Sequence, residues 1–357
     1  ERFTKDIELS RVETPRTALQ GSSLVVDLVV TQSGYAGETV PLQVEDAGRI
    51  VARQDIRLPR DGEATTVRVH FKAEEPGART FRFHIPPRPG EMVTQNNEQH
   101  ALIVVEKRRE KILYFEGEPR FEVKFLRRAV ADDENLQVVV LQRTAENKFL
   151  RLDVDDPEEL AAGFPRTREE LFRYRALILG SVEASFFTHD QLQMIADFVD
   201  QRGGGLLVLG GRRALAEGGY AGTPVADVLP IVLDPADREE RGSTYYTELK
   251  PAPTRAGQGH PAIQIAPTPE ESRQRWRELP PVSAVNRVRG LKPGATALLM
   301  GSPVDGGADA VILAHQRYGR GNVIALPVQD TWQWQFHEDV PLDDLSHETF
   351  WRQILRW

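Results

Sequence analysis

The sequence predicts two domains: an all-β, immunoglobulin-like sandwich over residues 1–108, and an α/β domain over residues 109–357 built on a doubly wound, mostly parallel sheet. Three observations lead to this prediction. A chain of 357 residues is longer than one ordinary hydrophobic core supports. The first third contains short β-branched and aromatic runs without a helical period. After residue 111, apolar strands alternate with amphipathic helices, which is typical of a parallel sheet covered on both faces.

The first domain is predicted from five short strands separated by turn signals. These strands are residues 24–30, 40–44, 66–71, 80–85 and 101–105. Turn residues such as Ser33-Gly34 lie between them. In the third strand Val67, Val69 and Phe71 alternate with polar residues, as expected when one face of a strand is solvated. Regular short strands without helices are typical of an immunoglobulin-like sandwich.

The second domain is predicted from four apolar strands with helices between them. The strands are residues 112–115, 136–141, 176–179 and 205–209. A helix is predicted over 121–130, where Phe121, Phe125 and Ala129 share one stripe. A second helix is predicted to begin at Thr188, which forms a capping box with Gln191.

The C-terminal part of this domain is predicted to resume ordered structure after an interruption. Residues 234–281 are polar, rich in proline and without periodicity, which indicates an irregular insertion. Strands are then expected at 296–300, 310–314 and 322–327, the last two joined as an antiparallel hairpin. A final helix is expected from Ser346.

Composition excludes several classes of function. The net charge of −8 disfavours binding to nucleic acid, which requires a positive surface. The absence of cysteine excludes thiol catalysis, disulfides and thiolate metal sites. The eight histidines show no metal-ligand spacing, so we expect neither a metal nor a cofactor. No stretch reaches the ~18 apolar residues of a membrane span. Because the chain begins at Glu1 rather than Met, we expect either a processed product or an excised piece of a longer parent, with any anchor or targeting segment outside it.

The candidate site is predicted at the carboxyl ends of the parallel strands, where α/β sheets bind their ligands. The residues that follow those strands include acids, arginines and one tryptophan, a set suited to a small polar or anionic ligand or to a protein loop. They are Glu116, Arg120, Ser181, Gly210, Gly211, Arg212, Arg213, Asp330 and Trp332.

The glycine-rich turn after the fourth strand has the form of a catalytic turn but not its chemistry. A nucleophile elbow places Ser or Cys between glycines, whereas this turn reads Gly210-Gly211-Arg212-Arg213. Arginine stays protonated and cannot act as a nucleophile. The phosphate-binding patterns G-x-x-x-x-G-K-[ST] and G-x-G-x-x-G are also absent from this turn. We interpret it as a retained elbow without a reactive atom.

Residues 110–357 resemble the glutamine-amidotransferase-like domains of bacterial membrane proteins, which belong to the class I glutamine amidotransferase and DJ-1/PfpI-type superfamily. The resemblance lies in ILYFEGEPRFEVKFLRRAV (112–130), ALILGSVEASFFTHDQLQMIADFVDQRGGGLLVLGG (176–211), AHQRYGRGNVIAL (314–326), DTWQW (330–334) and HETFWRQILRW (347–357). The segment NNEQHALIVVE (96–106) resembles adhesion-type immunoglobulin-like modules.

This resemblance implies a flavodoxin-like sheet and a parent anchored in a bacterial membrane, with this part on the extracytoplasmic, periplasmic side. It also places the catalytic cysteine of true amidotransferases at about Gly211 or Arg212, and neither residue can attack an amide. The histidine–glutamate pair of the family is spaced as H-x-E, whereas His337-Glu338 and His347-Glu348 are adjacent. The resemblance therefore implies a fold without amidotransferase activity.

The sequence favours a non-catalytic module that binds a protein or a small polar ligand. Two alternatives remain at this point. One is a hydrolase that uses Glu116 and Asp330 as acid and base, which requires the two carboxyl groups to face each other across a pocket. The other is a structural spacer whose crevice is filled by side chains.

Overall fold

A computed structural model of the protein describes residues 4–107, 109–239 and 246–357. The chain divides into two compact units, Glu1–Arg108 with Arg356–Trp357, and Arg109–Leu355. We call these the first and the second unit. Residues 240–245, within the segment predicted to be an insertion, lie outside the described residues, as does Arg108 at the predicted boundary.

The first unit contains two β-sheets around one hydrophobic core. Its strands are Asp6–Glu13 (β1), Thr17–Leu19 (β2), Ser22–Ser33 (β3), Thr39–Asp46 (β4), Arg49–Arg57 (β5), Thr65–Ala73 (β6), Gly77–His84 (β7) and Glu98–Glu106 (β8). One sheet has the order β1-β3-β6 and the other β2-β8-β7-β4-β5. Every second residue of β3 is buried, among them Leu24, Val26, Leu28 and Val30. This period of two explains why all five strands predicted for this region coincide with observed ones.

The second unit is built on one sheet of ten strands. They are Glu110–Glu116 (β9), Leu136–Ala145 (β10), Lys148–Leu152 (β11), Ala176–Leu179 (β12), Gly205–Leu209 (β13), Thr247–Pro253 (β14), Val282–Ala284 (β15), Thr296–Pro303 (β16), Ala310–Tyr318 (β17) and Gly321–Leu326 (β18). The order across the sheet is β11-β10-β9-β12-β13-β18-β17-β16-β14-β15.

This sheet corrects the predicted fold class. Four neighbouring pairs, from β10 through β9, β12 and β13 to β18, are parallel, but the other five pairs are antiparallel. The described structure is 39% strand and only 20% helix. A mixed, strand-rich sheet of this kind is not the doubly wound, mostly parallel, flavodoxin-like sheet that we expected. The resemblance to class I glutamine amidotransferases and DJ-1/PfpI-type proteins, which implied that sheet, is wrong for the same reason.

Short helices accompany the sheet in the second unit. They are Phe121–Ala129 (α1), Arg168–Leu171 (α2), His189–Asp200 (α3), Pro224–Val228 (α4), Ala236–Glu239 (α5), Arg255–Gln258 (α6), Pro269–Glu278 (α7), Gln333–Phe336 (α8) and Ser346–Arg356 (α9). The predicted capping box of Thr188 with Gln191 is confirmed at the start of α3. The predicted apolar stripe of α1 is confirmed for Phe125 and Ala129, which are buried, but Phe121 is 63% exposed. Phe121 lies in the first turn of α1, and this turn does not pack its side chain into the core.

The segment predicted to be an irregular insertion contains regular structure. Strand β14 lies within it and pairs with β16 and β15, and α7 follows with a capping box of Thr268 and Glu271. Because β14 contains Pro251 and Pro253, the sequence pattern did not indicate a strand there. These prolines are tolerated because the pairing with β15 ends at Leu249, so at both prolines one side of β14 has no strand partner among the described residues.

Candidate functional site

The predicted site residues lie where β9, β12, β13 and β18 end. These four strands are parallel, so their carboxyl ends meet at one edge of the sheet. We call the loops that follow them, residues 116–121, 180–183, 210–213 and 327–332, the strand-end surface.

Glu116 is the buried centre of this region. Its side chain is fully buried, and its carboxylate accepts hydrogen bonds from the Tyr114 hydroxyl (2.7 Å), Arg120 Nε (2.9 Å), the Ser181 amide (2.9 Å) and the Glu118 amide (3.2 Å). Gly180 leaves the space for this carboxylate, because a Cβ at that position would lie 2.2 Å from Glu116 Oε2. Four donors occupy the lone pairs of the carboxylate, so Glu116 holds the loops together and has no free oxygen for a substrate.

Arg120 joins two of the strand-end loops. Its Nη1 donates to the carbonyl of Gly210 at 2.6 Å, while its Nε is bonded to Glu116. Burial opposes the charge of Arg120, but the electrostatic effect of Tyr114 and Glu116 outweighs burial and raises its pKa above the usual value. This buried ion pair is therefore a structural connection between the loop after β9 and the turn after β13.

The turn of Gly210 and Gly211 is a packing feature rather than a strained elbow. A Cβ on Gly210 would lie 2.5 Å from the Pro327 carbonyl carbon, and a Cβ on Gly211 would lie 2.7 Å from the Ser181 side chain. None of residues 210–213 has a positive φ, and the first left-handed residue after the strand is Leu215, with a φ of 54°. The interpretation of this turn as a retained elbow is therefore wrong. Its glycines allow neighbouring chains to approach closely.

The backbone of this turn is fixed by one buried amide. Asn286 Oδ1 accepts from the Gly211 amide at 2.8 Å, and Asn286 Nδ2 donates to the Gly211 carbonyl at 3.0 Å. The same Nδ2 donates to Glu217 at 2.8 Å. Sequence reasoning missed Asn286, which lies 75 residues from Gly211 in a region without a recognised motif.

Ser181 is buried, and its hydroxyl both donates and accepts a hydrogen bond. Its Oγ donates to Glu118 Oε2 at 2.7 Å and accepts from the amide of Arg213 at 3.0 Å. A nucleophilic serine needs a base that takes its proton, usually a histidine. Here the acceptor is a carboxylate that also pairs with Arg213 at 3.2 Å, so Ser181 connects loops and is not activated.

The two arginines of the turn differ in their surroundings. Arg213 is half-exposed and lies 3.2 Å from Glu118 and 3.8 Å from Glu183, which also forms a two-pronged hydrogen bond with Arg143. Arg212 is exposed, and its side chain forms no hydrogen bond or ion pair with any residue of the described ranges. Arg212 is thus a guanidinium of the strand-end surface that remains available to a ligand.

Asp330 and Trp332 lie at the end of the same surface but outside the Glu116 network. Asp330 accepts from the Ser283 amide at 2.6 Å and from Gln333, and burial raises its pKa. The Trp332 ring lies 5.4 Å from that of Phe121. The structure therefore brings together Glu116, Arg120, Ser181 and the turn after β13. It also places Trp332 against Phe121, which the sequence pattern had assigned to the buried stripe of α1.

A buried polar chain beneath this surface was not predicted. Thr331 Oγ1 lies 3.0 Å from Glu122 Oε1 and 3.0 Å from His347 Nε2, and the Trp351 indole donates to the same His347 nitrogen at 2.9 Å. Burial raises the pKa of Glu122 to about 7 and lowers that of His347 to about 3. The four side chains come from α1, the loop after β18 and α9, so only the fold could reveal the cluster.

Within the described residues, no group of three or more His, Asp or Glu side chains is arranged to hold a metal ion. Among the same residues, no helix is long and apolar enough to cross a membrane.

Comparison with protein-family models and with curated protein sequences gives no match. Among solved structures, the cytoplasmic protein STM1381 from Salmonella typhimurium LT2 is similar over 69% of this chain and 98% of its own, at 20% identity and a TM-score of 0.45. The CARDB domain of PF1109 from Pyrococcus furiosus, solved in complex with di-metal ions, is similar over 29% of this chain and 90% of its own, at 12% identity and a TM-score of 0.26. A β-glucosidase from Listeria innocua is similar over 28% of this chain and 16% of its own, at 18% identity and a TM-score of 0.21. At these TM-scores the likenesses assign neither fold nor function.

Proposed function

We propose that the second unit is a non-catalytic binding module, and that the strand-end surface holds a loop of a partner protein. The observation that supports this most directly is the division of polar groups on that surface. The carboxylate of Glu116 and the hydroxyl of Ser181 are consumed by internal hydrogen bonds, whereas the guanidinium of Arg212 is exposed and unpaired among the described residues.

An aromatic pair at the same sheet edge adds apolar area to this surface. Phe121 is 63% exposed and lies against Trp332, and Phe336, one turn further along α8, is 54% exposed. Tryptophan and arginine are the residue types that dominate the binding energy of protein interfaces. The partner loop would therefore carry a carboxylate for Arg212 and an apolar side chain for Phe121 and Trp332.

The structure gives no support to a hydrolase that uses Glu116 and Asp330. A general acid or base must reach the substrate with a free oxygen, and each of these carboxylates is buried and bonded within the protein. We therefore do not retain catalysis as a second function.

Site-specific crosslinking tests the proposal. The photoreactive residue p-benzoylphenylalanine, placed at position 121 in the parent protein, should crosslink to one partner, whose purified form is then titrated against the wild-type chain. Arg212→Ala and Trp332→Ala should each raise the dissociation constant by about tenfold or more. Arg277→Ala, which removes another exposed arginine of the second unit, is the matched control. Equal affinity of all four proteins would refute the strand-end surface as the binding site.

We also propose that the module works on the extracytoplasmic side of a bacterial membrane, as part of a membrane-anchored parent. Protease accessibility of the parent in intact spheroplasts tests this location. Protection of the chain until the membrane is opened would contradict it.

A further inference from the structure

A pocket of about 360 Å³ lies at the opposite edge of the parallel strands, near their amino ends. Lys111, at the start of β9, and Tyr174, just before β12, are part of its wall, and residues 155–166 form most of the rest. This volume lies within the range of small-molecule sites in proteins. The pocket is distinct from the strand-end surface and shares no residue with it.

One wall of the pocket is charged but internally satisfied. Lys111 Nζ lies 3.0 Å from both carboxylate oxygens of Glu159 and 2.8 Å from Asp155, and the Tyr174 hydroxyl donates to Glu159 at 2.8 Å. These bonds fix the wall in place before any ligand arrives. Preorganisation of this kind lowers the cost of binding.

Three other charged side chains around the pocket form no ion pair within the described part of the chain, whereas the carboxylates of Asp156 and Glu170 accept hydrogen bonds from backbone amides. The side chains of Arg166, Arg173 and Glu158 line it and are exposed, and none of them forms a hydrogen bond or an ion pair with any residue of the described ranges. Two guanidinium groups and one carboxylate thus offer both signs of charge to one small ligand. Guanidinium is well suited to bind a carboxylate, and a carboxylate is well suited to bind an ammonium group.

The floor of the pocket adds an apolar surface and a strained turn. The consecutive residues 160–165 that line it are Leu, Ala, Ala, Gly, Phe and Pro. Leu160 has a left-handed backbone with a φ of 58°, which is costly for a residue other than glycine. Strained backbone of this kind concentrates at functional sites.

We propose that this pocket binds a small zwitterion, a free amino acid with an apolar side chain. Its carboxylate lies with Arg166 and Arg173, its ammonium group with Glu158, and its side chain on the apolar stretch 160–165. Nothing in this assignment depends on the partner proposed for the strand-end surface.

Calorimetric titration of the whole chain with three matched probes tests the assignment. The probes are L-leucine, 4-methylpentanoate, which lacks the ammonium group, and 3-methylbutylamine, which lacks the carboxylate. L-leucine should bind, and each analogue should bind at least about tenfold more weakly, because each leaves one charged group of the pocket unpaired. Failure of L-leucine to bind would overturn the proposal, and so would equal binding of either analogue.

Variants of the residues that line the pocket test whether L-leucine binds there. The double variant Arg166→Ala/Arg173→Ala and the single variant Glu158→Gln should each weaken L-leucine binding by about tenfold or more. The three side chains are exposed and unpaired, so their loss should leave the fold intact, and Arg277→Ala serves as a control with normal affinity. Unchanged binding in the double variant would show that L-leucine binds elsewhere and would overturn the assignment.

Discussion

The two edges of the parallel strands in the second unit are built in contrasting ways. At the carboxyl edge, the carboxylate of Glu116 and the hydroxyl of Ser181 are buried and bonded to neighbouring loops. At the amino edge, a satisfied wall of Lys111 and Glu159 stands beside arginines that have no partner among the described residues. Position in a fold thus identifies where polar residues gather, but the hydrogen-bond partners decide whether they are available.

The largest effect should come from removing the carboxylate at the carboxyl edge. Glu116→Ala leaves Arg120 buried without its counter-ion, which typically costs 3–5 kcal/mol, so we expect a loss of about 4 kcal/mol in the free energy of unfolding. Urea denaturation measures this change. Glu158→Ala at the amino edge is the matched control and should change stability by less than about 0.5 kcal/mol. Similar losses for both variants would abolish the contrast between the edges.

The buried Glu122 should make stability depend on pH. Its pKa in the folded protein is about 7, against a usual 4.5, so between these pH values the folded state keeps a proton that the unfolded state has released. Raising the pH through this window should therefore lower the contribution of Glu122 to the free energy of unfolding, by up to about 3 kcal/mol. Glu122→Gln should abolish this decline, as followed by urea denaturation from pH 4.5 to 7.5, roughly the window of the shift.

His347 changes the free energy of unfolding with pH in the opposite direction, and the same experiment controls for this effect. Its pKa in the folded protein is about 3, so only the unfolded state takes up a proton on this residue between pH 6.5 and 3. Its contribution to stability is present at neutral pH and is lost as the pH falls. The difference between the wild-type protein and Glu122→Gln cancels this effect. A difference that does not vary with pH would mean that Glu122 titrates normally.

A smaller loss is expected from a methyl group placed against the Glu116 carboxylate. In Gly180→Ala the new Cβ would lie 2.2 Å from Glu116 Oε2, so the network must shift, at a cost of about 1–3 kcal/mol. Thermal denaturation monitored by circular dichroism detects this loss. In the control Gly205→Ala the nearest atom is the Ala176 Cβ at 3.2 Å, and the loss should be smaller. The reverse ranking would show that the Glu116 network is loosely packed.

The smallest effect is expected for the free arginine of the strand-end surface. Arg212→Ala removes no described hydrogen bond or ion pair, so the free energy of unfolding should change by less than about 0.5 kcal/mol. Arg120→Ala, by comparison, should be strongly destabilising because it leaves Glu116 buried and unpaired. A large loss for Arg212→Ala in urea denaturation would mean that this side chain supports the fold and is not reserved for a partner.

Local structure was predictable from the sequence to a greater extent than the assembly of the sheet. Strands such as Ala176–Leu179 and Gly205–Leu209 are continuous apolar runs, and the start of α3 is marked by its capping box, so each is determined by nearby residues. The antiparallel half of the sheet depends on β14, whose prolines and charges resemble a loop. Four of the five antiparallel pairs join consecutive strands, β10–β11, β14–β15, β16–β17 and β17–β18. The fold class was wrong because β11, β14 and β15 were not recognised as strands, so the antiparallel share of the sheet was underestimated.

The candidate site shows the same limit at the level of side chains. The sequence predicted Glu116, Arg120 and Ser181 at the carboxyl ends of neighbouring strands, and in the structure Glu116 is hydrogen-bonded to Arg120 and to the Ser181 amide. It gave no indication that these groups bond to one another, or that Asn286 would fix the turn at Gly211. Hydrogen-bond satisfaction depends on distances of tenths of an ångström between distant segments, which a residue pattern does not encode.

The bond from Trp351 to His347 gives the protein an internal spectroscopic reporter. An indole nitrogen only donates, so His347 Nε2 must keep its lone pair and the imidazole hydrogen must reside on Nδ1. With a pKa of about 3, this ring stays a single neutral tautomer throughout the physiological pH range. Its nitrogen resonances should therefore remain constant from acidic to alkaline solution while those of exposed histidines move. Both residues lie on α9, so local unwinding of this helix would break the Trp351–His347 contact and would be visible as a change of tautomer.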